Sequence, residues 1–400
     1  MPEGELGFRF GEPLDVDGDG VADIAAGARF KVGEGISKDG VAAVWSGKNG
    51  ALLRRWEGQL RGALFGHWTT ALPDLDGDGL ADVVVAAPQA RVEGATHGVV
   101  SARSAASGNV IWRRFAPREE MLGWDLAPAG DQDGDGRIDL FVGAPSQQGG
   151  RAYLLSGATG EIVRSYAPPR KREFFGWSIA SAGDLDGDGR ADLLVGGQPE
   201  GGDEGGAPSE VYLFSGAGGA EIRRWSDSDL QASFGEMIAG LGDLDGDGRG
   251  EIAISSARIG HPEDTEPGKV QVFSGASGAL LRQWKGRQPR ERFGRMVIGA
   301  GDVDGDGTED IAIGAPRHQA GKAANTGRVE LRSGKSDAVL AEWFGDEAEA
   351  WFGWHMRRAP DPEGRGRPAL LVGSLRRSVG GKPGVGVIDL VVLKKAAAVP

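Results

Sequence analysis

The stretch DLDGDGRADLLVGG, residues 184–197, decides the fold, because an acidic motif runs directly into a short apolar segment. Near-copies occur at five other places, and the six copies begin at Asp15, Asp74, Asp131, Asp184, Asp243 and Asp302. Their spacings of 59, 57, 53, 59 and 59 residues are typical of a chain built from repeats. A further step of 59 residues reaches the degenerate copy DPEGRGRPALLVGS at Asp361, so we predict seven repeats.

Each repeat contains four strand signals. In residues 174–225 these are a segment of small and apolar residues, then ADLLVGG after the acidic motif, then EVYLFSG and EIRRW. The runs are short, and no 3.6-residue period persists over about ten residues, which indicates an all-β chain. Seven such units predict a seven-bladed β-propeller with four-stranded antiparallel blades, a single domain over residues 1–400. A solenoid is the alternative, but it needs polar caps, and the last repeat ends in the apolar GVIDLVVL.

The repeats are assigned to begin at a Phe-Gly pair or its equivalent. The predicted starts lie near Phe10, Phe65, Leu122, Phe175, Phe234, Phe293 and Phe352. A fourth strand normally ends about nine residues before this pair, as Trp225 does before Phe234, and no full strand fits before Phe10. We therefore predict a three-stranded last blade, or a missing strand upstream of this chain.

The acidic motif has the donor pattern of a calcium loop. Carboxylates stand at positions 1, 3, 5 and 9, while position 7 varies so widely that we expect only its carbonyl to bind. Oxygen donors without nitrogen or sulfur suit Ca²⁺, and glycines at positions 4 and 6 let the backbone fold round the ion. The predicted ligands are Asp15, Asp17, Asp19, Val21 and Asp23; Asp74, Asp76, Asp78, Leu80 and Asp82; Asp131, Asp133, Asp135, Arg137 and Asp139; Asp184, Asp186, Asp188, Arg190 and Asp192; Asp243, Asp245, Asp247, Arg249 and Glu251; Asp302, Asp304, Asp306, Thr308 and Asp310.

Helical calcium hands are excluded by position 12. They need a bidentate glutamate there, but the residues are Ala26, Val85, Val142, Val195, Ile254 and Ile313. The apolar segment that follows also predicts a strand, so the loop joins two strands.

The seventh loop, Asp361–Ala369, is predicted to hold no ion. It retains Asp361 and Glu363, but Arg365 stands where the third aspartate would be and Ala369 replaces the fourth acid. We expect the Arg365 guanidinium to pair with one of the two remaining acids in place of a cation.

The charge balance follows from these loops. The net charge is −13, and the six loops supply 24 of the 58 acidic residues, so the rest of the chain is basic. Six Ca²⁺ ions bring the total close to neutrality, which indicates ions rather than nucleic acid or an anionic membrane as the counterpart of the acidic charge. The absence of cysteine excludes disulfides and thiolate chemistry. No transmembrane segment or export signal is apparent in the sequence.

No catalytic residue is predicted. The five histidines stand at unrelated repeat positions, no phosphate-binding, Ser-His-Asp or zinc spacing occurs, and the paired carboxylates are assigned to calcium. We therefore expect a non-enzymatic protein. An active site for polysaccharide cleavage at the channel mouth is the weaker alternative.

The loops opposite the acidic motifs vary most in length and chemistry, and binding often resides in such loops. A basic rim is predicted there, for an acidic protein or a glycan. Its residues are Arg170, Lys171, Arg172, Arg290, Arg292 and Arg317.

The combination of motifs resembles the FG-GAP repeat family, which includes the seven-bladed propeller of the integrin alpha head and related bacterial proteins. Phe-Gly recurs at six of seven positions, and Gly-Ala-Pro follows the acidic loop at residues 143–145 and 314–316. The resemblance covers essentially the whole chain. It implies Ca²⁺ in loops on one face and a ligand on the other.

The resemblance also implies a function. We expect a calcium-stabilised, extracellular or cell-surface scaffold for adhesion or protein interaction. The alternative is a carbohydrate-binding or accessory module of a secreted enzyme.

Overall fold

The protein is described here from a computed structural model, which covers residues 3–32, 36–37, 39–168, 174–197, 209–227, 233–257, 265–360 and 368–393. Every helix or strand assigned in these ranges is a β-strand. The chain divides into two compact units, Met1–Ile179 and Ala180–Pro400. None of the described residues forms a helix with the length and apolarity needed to cross a membrane.

The first unit contains three runs of four antiparallel strands. The first run is β1 (Glu3–Phe10), β2 (Ile24–Val32), β4 (Val41–Trp45) and β5 (Leu52–Glu57), with the short β3 (Ile36–Ser37) beside β2. The second is β6 (Trp68–Leu72), β7 (Asp82–Ala87), β10 (Val99–Arg103) and β11 (Val110–Phe115), with the hairpin β8 (Arg91–Val92) and β9 (Ala95–Thr96). One parallel pair, Phe10–Thr69, joins these two runs into a nine-stranded sheet. The third run is a separate sheet of β12 (Asp125–Gly130), β13 (Asp139–Ala144), β14 (Arg151–Leu155) and β15 (Ile162–Tyr166).

The second unit repeats this plan. Its sheets are β16 (Ser178–Ser181, which spans the unit boundary), β17 (Leu193–Gly197), β18 (Glu210–Phe214) and β19 (Glu221–Ser226); β20 (Ile238–Gly240), β21 (Glu251–Ser256), β22 (Lys269–Ser274) and β23 (Leu280–Lys285); β24 (Met296–Gly301), β25 (Asp310–Ala315), β26 (Arg328–Arg332) and β27 (Val339–Phe344). The last sheet has three described strands, β28 (Phe352–Ala359), β29 (Ala369–Ser374) and β30 (Val387–Val392). Consecutive strands paired in order give the connectivity of propeller blades.

Burial falls from the second strand of a sheet to the fourth. All six residues of β25, the segment after an acidic loop, are buried. The fourth strand β23 is mostly exposed, but Trp284 is buried. An apolar run therefore forms the second strand because both of its faces are covered, and the fourth strand alternates because one face meets solvent.

The Phe-Gly pair anchors one sheet to the next within a unit. The backbone of Phe175 bridges Gly150, which precedes the third strand of the preceding sheet. A Cβ at Gly150 would lie 2.2 Å from the Phe175 carbonyl oxygen, so only glycine permits this approach. Gly40 with Phe65 and Gly98 with Leu122 form the same bridge.

The first repeat begins at Leu6-Gly7, and the predicted start at Phe10 is wrong. Leu6 is nine residues before Asp15, as Phe65 is before Asp74, and Gly7 and Gly66 both have φ of 78°. Phe10 instead pairs with Thr69 in the inner strand of the next run. Residues 10–11 have the Phe-Gly sequence but not the conformation of the anchor. The anchor glycine is left-handed, and Gly11 does not have a positive φ.

Candidate metal centres

Six acidic loops join the first strand of a sheet to its second, as predicted. Each loop folds around its first aspartate, whose two oxygens accept the N–H groups of the glycines at positions 4 and 6. In the second loop, Asp74 accepts Gly77 at 2.6 Å and Gly79 at 3.0 Å. The same bonds are made by Asp15, Asp131, Asp184, Asp243 and Asp302.

The carboxylates at positions 3 and 5 stiffen the turn. Asp76 Oδ1 accepts the Asp78 N–H at 3.1 Å, and Asp78 Oδ1 accepts the Leu80 N–H at 2.9 Å. Both side chains remain exposed and turned into the loop. Equivalent bonds occur in the other five loops, so the oxygens of these carboxylates converge before any ion is considered.

The carboxylate at position 9 is buried and ties the loop to its sheet. Asp82 accepts the Leu75 N–H at 2.7 Å and the Ala105 N–H, from the turn between third and fourth strands, at 3.3 Å. Corresponding pairs of bonds are made by Asp23, Asp139, Asp192 and Asp310. Burial, followed by the loop's other acids, raises the pKa of Asp82 and of Asp192 to about 6. A positive charge in the loop would favour their ionised form.

The fifth loop differs because Glu251 replaces the aspartate. One of its oxygens accepts the Leu244 N–H in a short hydrogen bond, but Oε1 is buried without a hydrogen-bond partner. Burial raises the pKa of Glu251 to about 7, and Asp245 and Asp243 add to this effect. A fully buried carboxylate oxygen without a donor, beside three further acids, fits a cation.

All four predicted carboxylates come together in the fifth loop, and three come together in each of four others. Groups whose candidate ligand atoms lie within 4.8 Å of one another include Asp15, Asp17 and Asp19; Asp74, Asp76 and Asp78; Asp131, Asp133 and Asp139; Asp184, Asp186 and Asp192; and Asp243, Asp245, Asp247 and Glu251. All donors are oxygen, which fits Ca²⁺ or Mg²⁺ and not a soft metal.

The side chain at position 7 makes specific contacts, although its identity varies between loops. Its N–H donates to the position-5 aspartate, and its side chain reaches the preceding loop. The Arg137 guanidinium lies 3.3 Å from Asp74 Oδ2. Burial would raise the pKa of Asp74, but the N–H groups of Gly77 and Gly79 and then Arg137 hold it below its usual value. Two other position-7 side chains also lie beside the preceding loop. Leu80 lies near Gly18, and the Arg249 guanidinium lies near Gly187.

The seventh loop and part of the predicted basic rim lie outside the described residues, and the rest of the rim is described. Residues 361–367 of the seventh loop, and Arg170, Lys171 and Arg172 of the basic rim, lie outside the described residues. Arg290, Arg292 and Arg317 are described, and the three lie close enough for Arg292 and Arg290 to act electrostatically on Arg317. Arg376 belongs to the same group and was not predicted. Its signal was available, since Arg317 and Arg376 both stand fifteen residues after the start of a loop.

Comparison with known proteins agrees with these motifs. The FG-GAP-like repeat matches residues 131–195, and the FG-GAP repeat matches residues 65–100 and 296–329. Integrin alpha-4 of Xenopus laevis is 33% identical over 190 residues, which are 44% of this chain and 18% of that protein. Integrin alpha-V of Gallus gallus is 31% identical over 214 residues, 49% of this chain and 20% of that protein. This chain carries FG-GAP repeats and is similar to integrin alpha subunits.

The FG-GAP chain thus aligns with only about a fifth of the length of these relatives. Among solved structures, BBS1N in complex with ARL6DN has a TM-score of 0.58 at 11% identity, over 100% of this chain and 95% of that one. The Dos1 propeller has a TM-score of 0.51 at 10% identity, over 92% of this chain and 76% of that one. At such identities the likeness shows the fold alone, which is a β-propeller arrangement.

Proposed function

We propose that this FG-GAP chain is a calcium-stabilised, non-enzymatic binding scaffold that forms one seven-bladed propeller over residues 1–400. The observation that carries the calcium assignment is the buried, unpartnered Oε1 of Glu251 beside Asp243, Asp245 and Asp247. Four other loops support it, because each brings three carboxylates together.

The ligands of each site are the carboxylates at positions 1, 3, 5 and 9 and the carbonyl at position 7. The ion supplies positive charge between the clustered carboxylates, in addition to cations such as Arg137 beside Asp74. At ~1 mM Ca²⁺, a site with a dissociation constant of ~0.1 mM stabilises the folded state by about 1.4 kcal/mol. Several such sites rival the net stability of a domain, so calcium decides whether the scaffold is rigid.

The ligand of the scaffold binds at the end of the sheets opposite the acidic loops. The first strand of each sheet runs from the Phe-Gly anchor to the acidic loop, and the second strand returns. The connections between second and third strands, and between sheets, therefore meet at the anchor end. Likeness to integrin alpha subunits supports a protein ligand, adhesion and an extracellular or cell-surface location.

The calcium assignment is tested by ion stoichiometry. Purified protein is stripped with EGTA, dialysed against 1 mM CaCl₂ and measured for bound metal, alongside Glu251→Gln and the exposed outer-strand control Glu221→Gln. We expect about six ions in the wild type and in the control, and one fewer in Glu251→Gln. Retention of no calcium by the wild type would overturn the proposal.

A further inference from the structure

Two consecutive repeats of the second unit place arginine and tryptophan at matching positions. Arg292 and Trp351 stand ten residues before the start of a loop, where both have φ of 58°. Arg317 and Arg376 stand fifteen residues after it. Their N–H groups donate to Glu291 at 3.1 Å and to Ala350 at 3.0 Å. These bonds fix the connection between second and third strands beside the anchor, at the end of the sheet away from the acidic loop.

The side chains at these positions stack on one another. The rings of Trp351 and Trp354 lie 5.3 Å apart at 26°. Arg376 and Arg317 lie 4.0 Å and 5.1 Å from the Trp351 ring centroid. Arg295 and Arg292 lie 4.0 Å and 5.7 Å from that of Trp354. We call these six side chains the arginine–tryptophan cluster.

Positive charge is concentrated around Arg317. Burial, followed by the charges of Arg292 and Arg376, lowers the pKa of Arg317, and Glu349 is the acid that opposes this effect. The Glu349 carboxylate already accepts Asn325 Nδ2 at 2.9 Å and 3.1 Å. Arg292 already has partners, because Glu236 lies 4.0 Å away and the Arg292 Nε donates to the Ala257 carbonyl at 3.3 Å. The Arg317 Nε is buried without a hydrogen-bond partner among the described residues.

The geometry selects the chemistry of the partner. A guanidinium stacked on an indole keeps its in-plane N–H donors for a planar, bidentate acceptor such as a carboxylate. Trp351 and Trp354 are only 8% and 7% exposed, so neither presents an open ring face on which a sugar could stack. The cluster therefore suits side-chain carboxylates better than a pyranose.

We propose that the arginine–tryptophan cluster is a docking site for an acidic polypeptide segment, whose aspartate or glutamate carboxylates bind Arg317 and Arg376. The inference rests on the proposed function, because it names the chemistry of the ligand at the anchor end of the sheets. It also explains why arginine is kept at matching positions of two repeats.

The test measures binding of fluorescein-labelled octaglutamate by fluorescence anisotropy, in 1 mM Ca²⁺, at low salt and again at 0.5 M NaCl. Arg317→Ala/Arg376→Ala is compared with the control Arg224→Ala/Lys285→Ala, which removes two cations from outer strands of the same unit. We expect binding that salt weakens, an affinity lower by about tenfold or more in the cluster variant, and no change in the control. A labelled octaglutamine peptide should not bind.

The charge-reversed variant Arg317→Glu/Arg376→Glu guards against a simple folding defect, since it should bind labelled octalysine while losing octaglutamate. Equal octaglutamate affinity in the wild type and the Arg317→Ala/Arg376→Ala variant would overturn the proposal, as would binding of heparin without octaglutamate. Melting in Ca²⁺ and in EGTA separates the two proposals. If calcium stabilises the protein but octaglutamate does not bind, only this inference is contradicted. If calcium does not stabilise the protein, the proposed function is contradicted.

Discussion

Glu251 accepts the N–H of Leu244, seven residues earlier, through one carboxylate oxygen and leaves the other buried beside the rest of its loop. In five loops the same position is aspartate, and both of its oxygens accept N–H groups. The glutamate side chain is one methylene longer, and its second oxygen is buried without a hydrogen-bond partner, as the proposed ion site requires. Position 9 therefore has two separable roles, namely holding backbone N–H groups and the proposed binding of an ion.

Glu251→Gln should lower stability only when calcium is present. The amide oxygen can still accept the Leu244 N–H. The lost negative charge weakens binding of the ion, and it also reduces repulsion between the carboxylates when the loop is empty. We expect a loss of about 1.4 kcal/mol in 1 mM Ca²⁺, and unchanged or higher stability in EGTA. Urea unfolding under both conditions measures this, and an equal loss in both would show a role unrelated to the ion.

Asp82→Asn should destabilise the protein with or without calcium. Asp82 is buried and each of its oxygens accepts a backbone N–H group. The amide introduced by Asp82→Asn keeps one acceptor oxygen, and its nitrogen cannot accept the other N–H. We expect a loss of about 1–3 kcal/mol in Ca²⁺ and in EGTA. The exposed Asp78→Asn in the same loop is the control, because its loss should be confined to Ca²⁺.

The Phe-Gly anchor can be tested with two glycines that differ in their surroundings. Gly66 and Gly62 have φ of 78° and 72°, but a Cβ at Gly66 would lie 2.1 Å from the Val41 carbonyl oxygen, whereas one at Gly62 would meet nothing within 4 Å. Gly62→Ala should cost about 1–2 kcal/mol, the strain of a left-handed alanine. Gly66→Ala should cost clearly more. Equal thermal shifts for the two variants would contradict the assigned anchor.

Acid should weaken the second unit through Glu291. Burial would raise the pKa of Glu291, but the His318 hydrogen bond at 2.7 Å and the buried Arg328 at 3.3 Å hold it below its usual 4.5. Its stabilisation is therefore complete above about pH 4.5 and is lost as the pH falls through the lower, folded-state value.

Glu291→Gln should accordingly lower the free energy of unfolding at pH 7 by about 1–3 kcal/mol, since it removes one of the three carboxylates that pair with the buried Arg328, while Glu330 and Glu342 remain. The difference from the wild type should shrink towards pH 3, as followed by urea unfolding in EGTA. Glu221→Gln serves as the exposed control. A difference that stays constant with pH would refute the linkage.

Periodicity and the acidic motif were enough to predict the all-β fold and the loops that hold the carboxylates. The first repeat was misplaced because Phe10-Gly11 has the Phe-Gly letters, although Leu6-Gly7 has the nine-residue spacing to its loop that the other anchors share. The positive φ of Gly7 agrees with that spacing. The side-chain role of Arg137 was also hidden, since its contact with Asp74 depends on the spacing of neighbouring sheets. Arg376 was missed although its spacing from Asp361 equals that of Arg317 from Asp302.

Thermal unfolding in 1 mM Ca²⁺ and in excess EGTA tests the calcium claim most directly. If ions hold the clustered carboxylates together, the melting temperature should fall by at least about 10 °C in EGTA and return when calcium is restored. A melting temperature that is the same in calcium and in EGTA would contradict it.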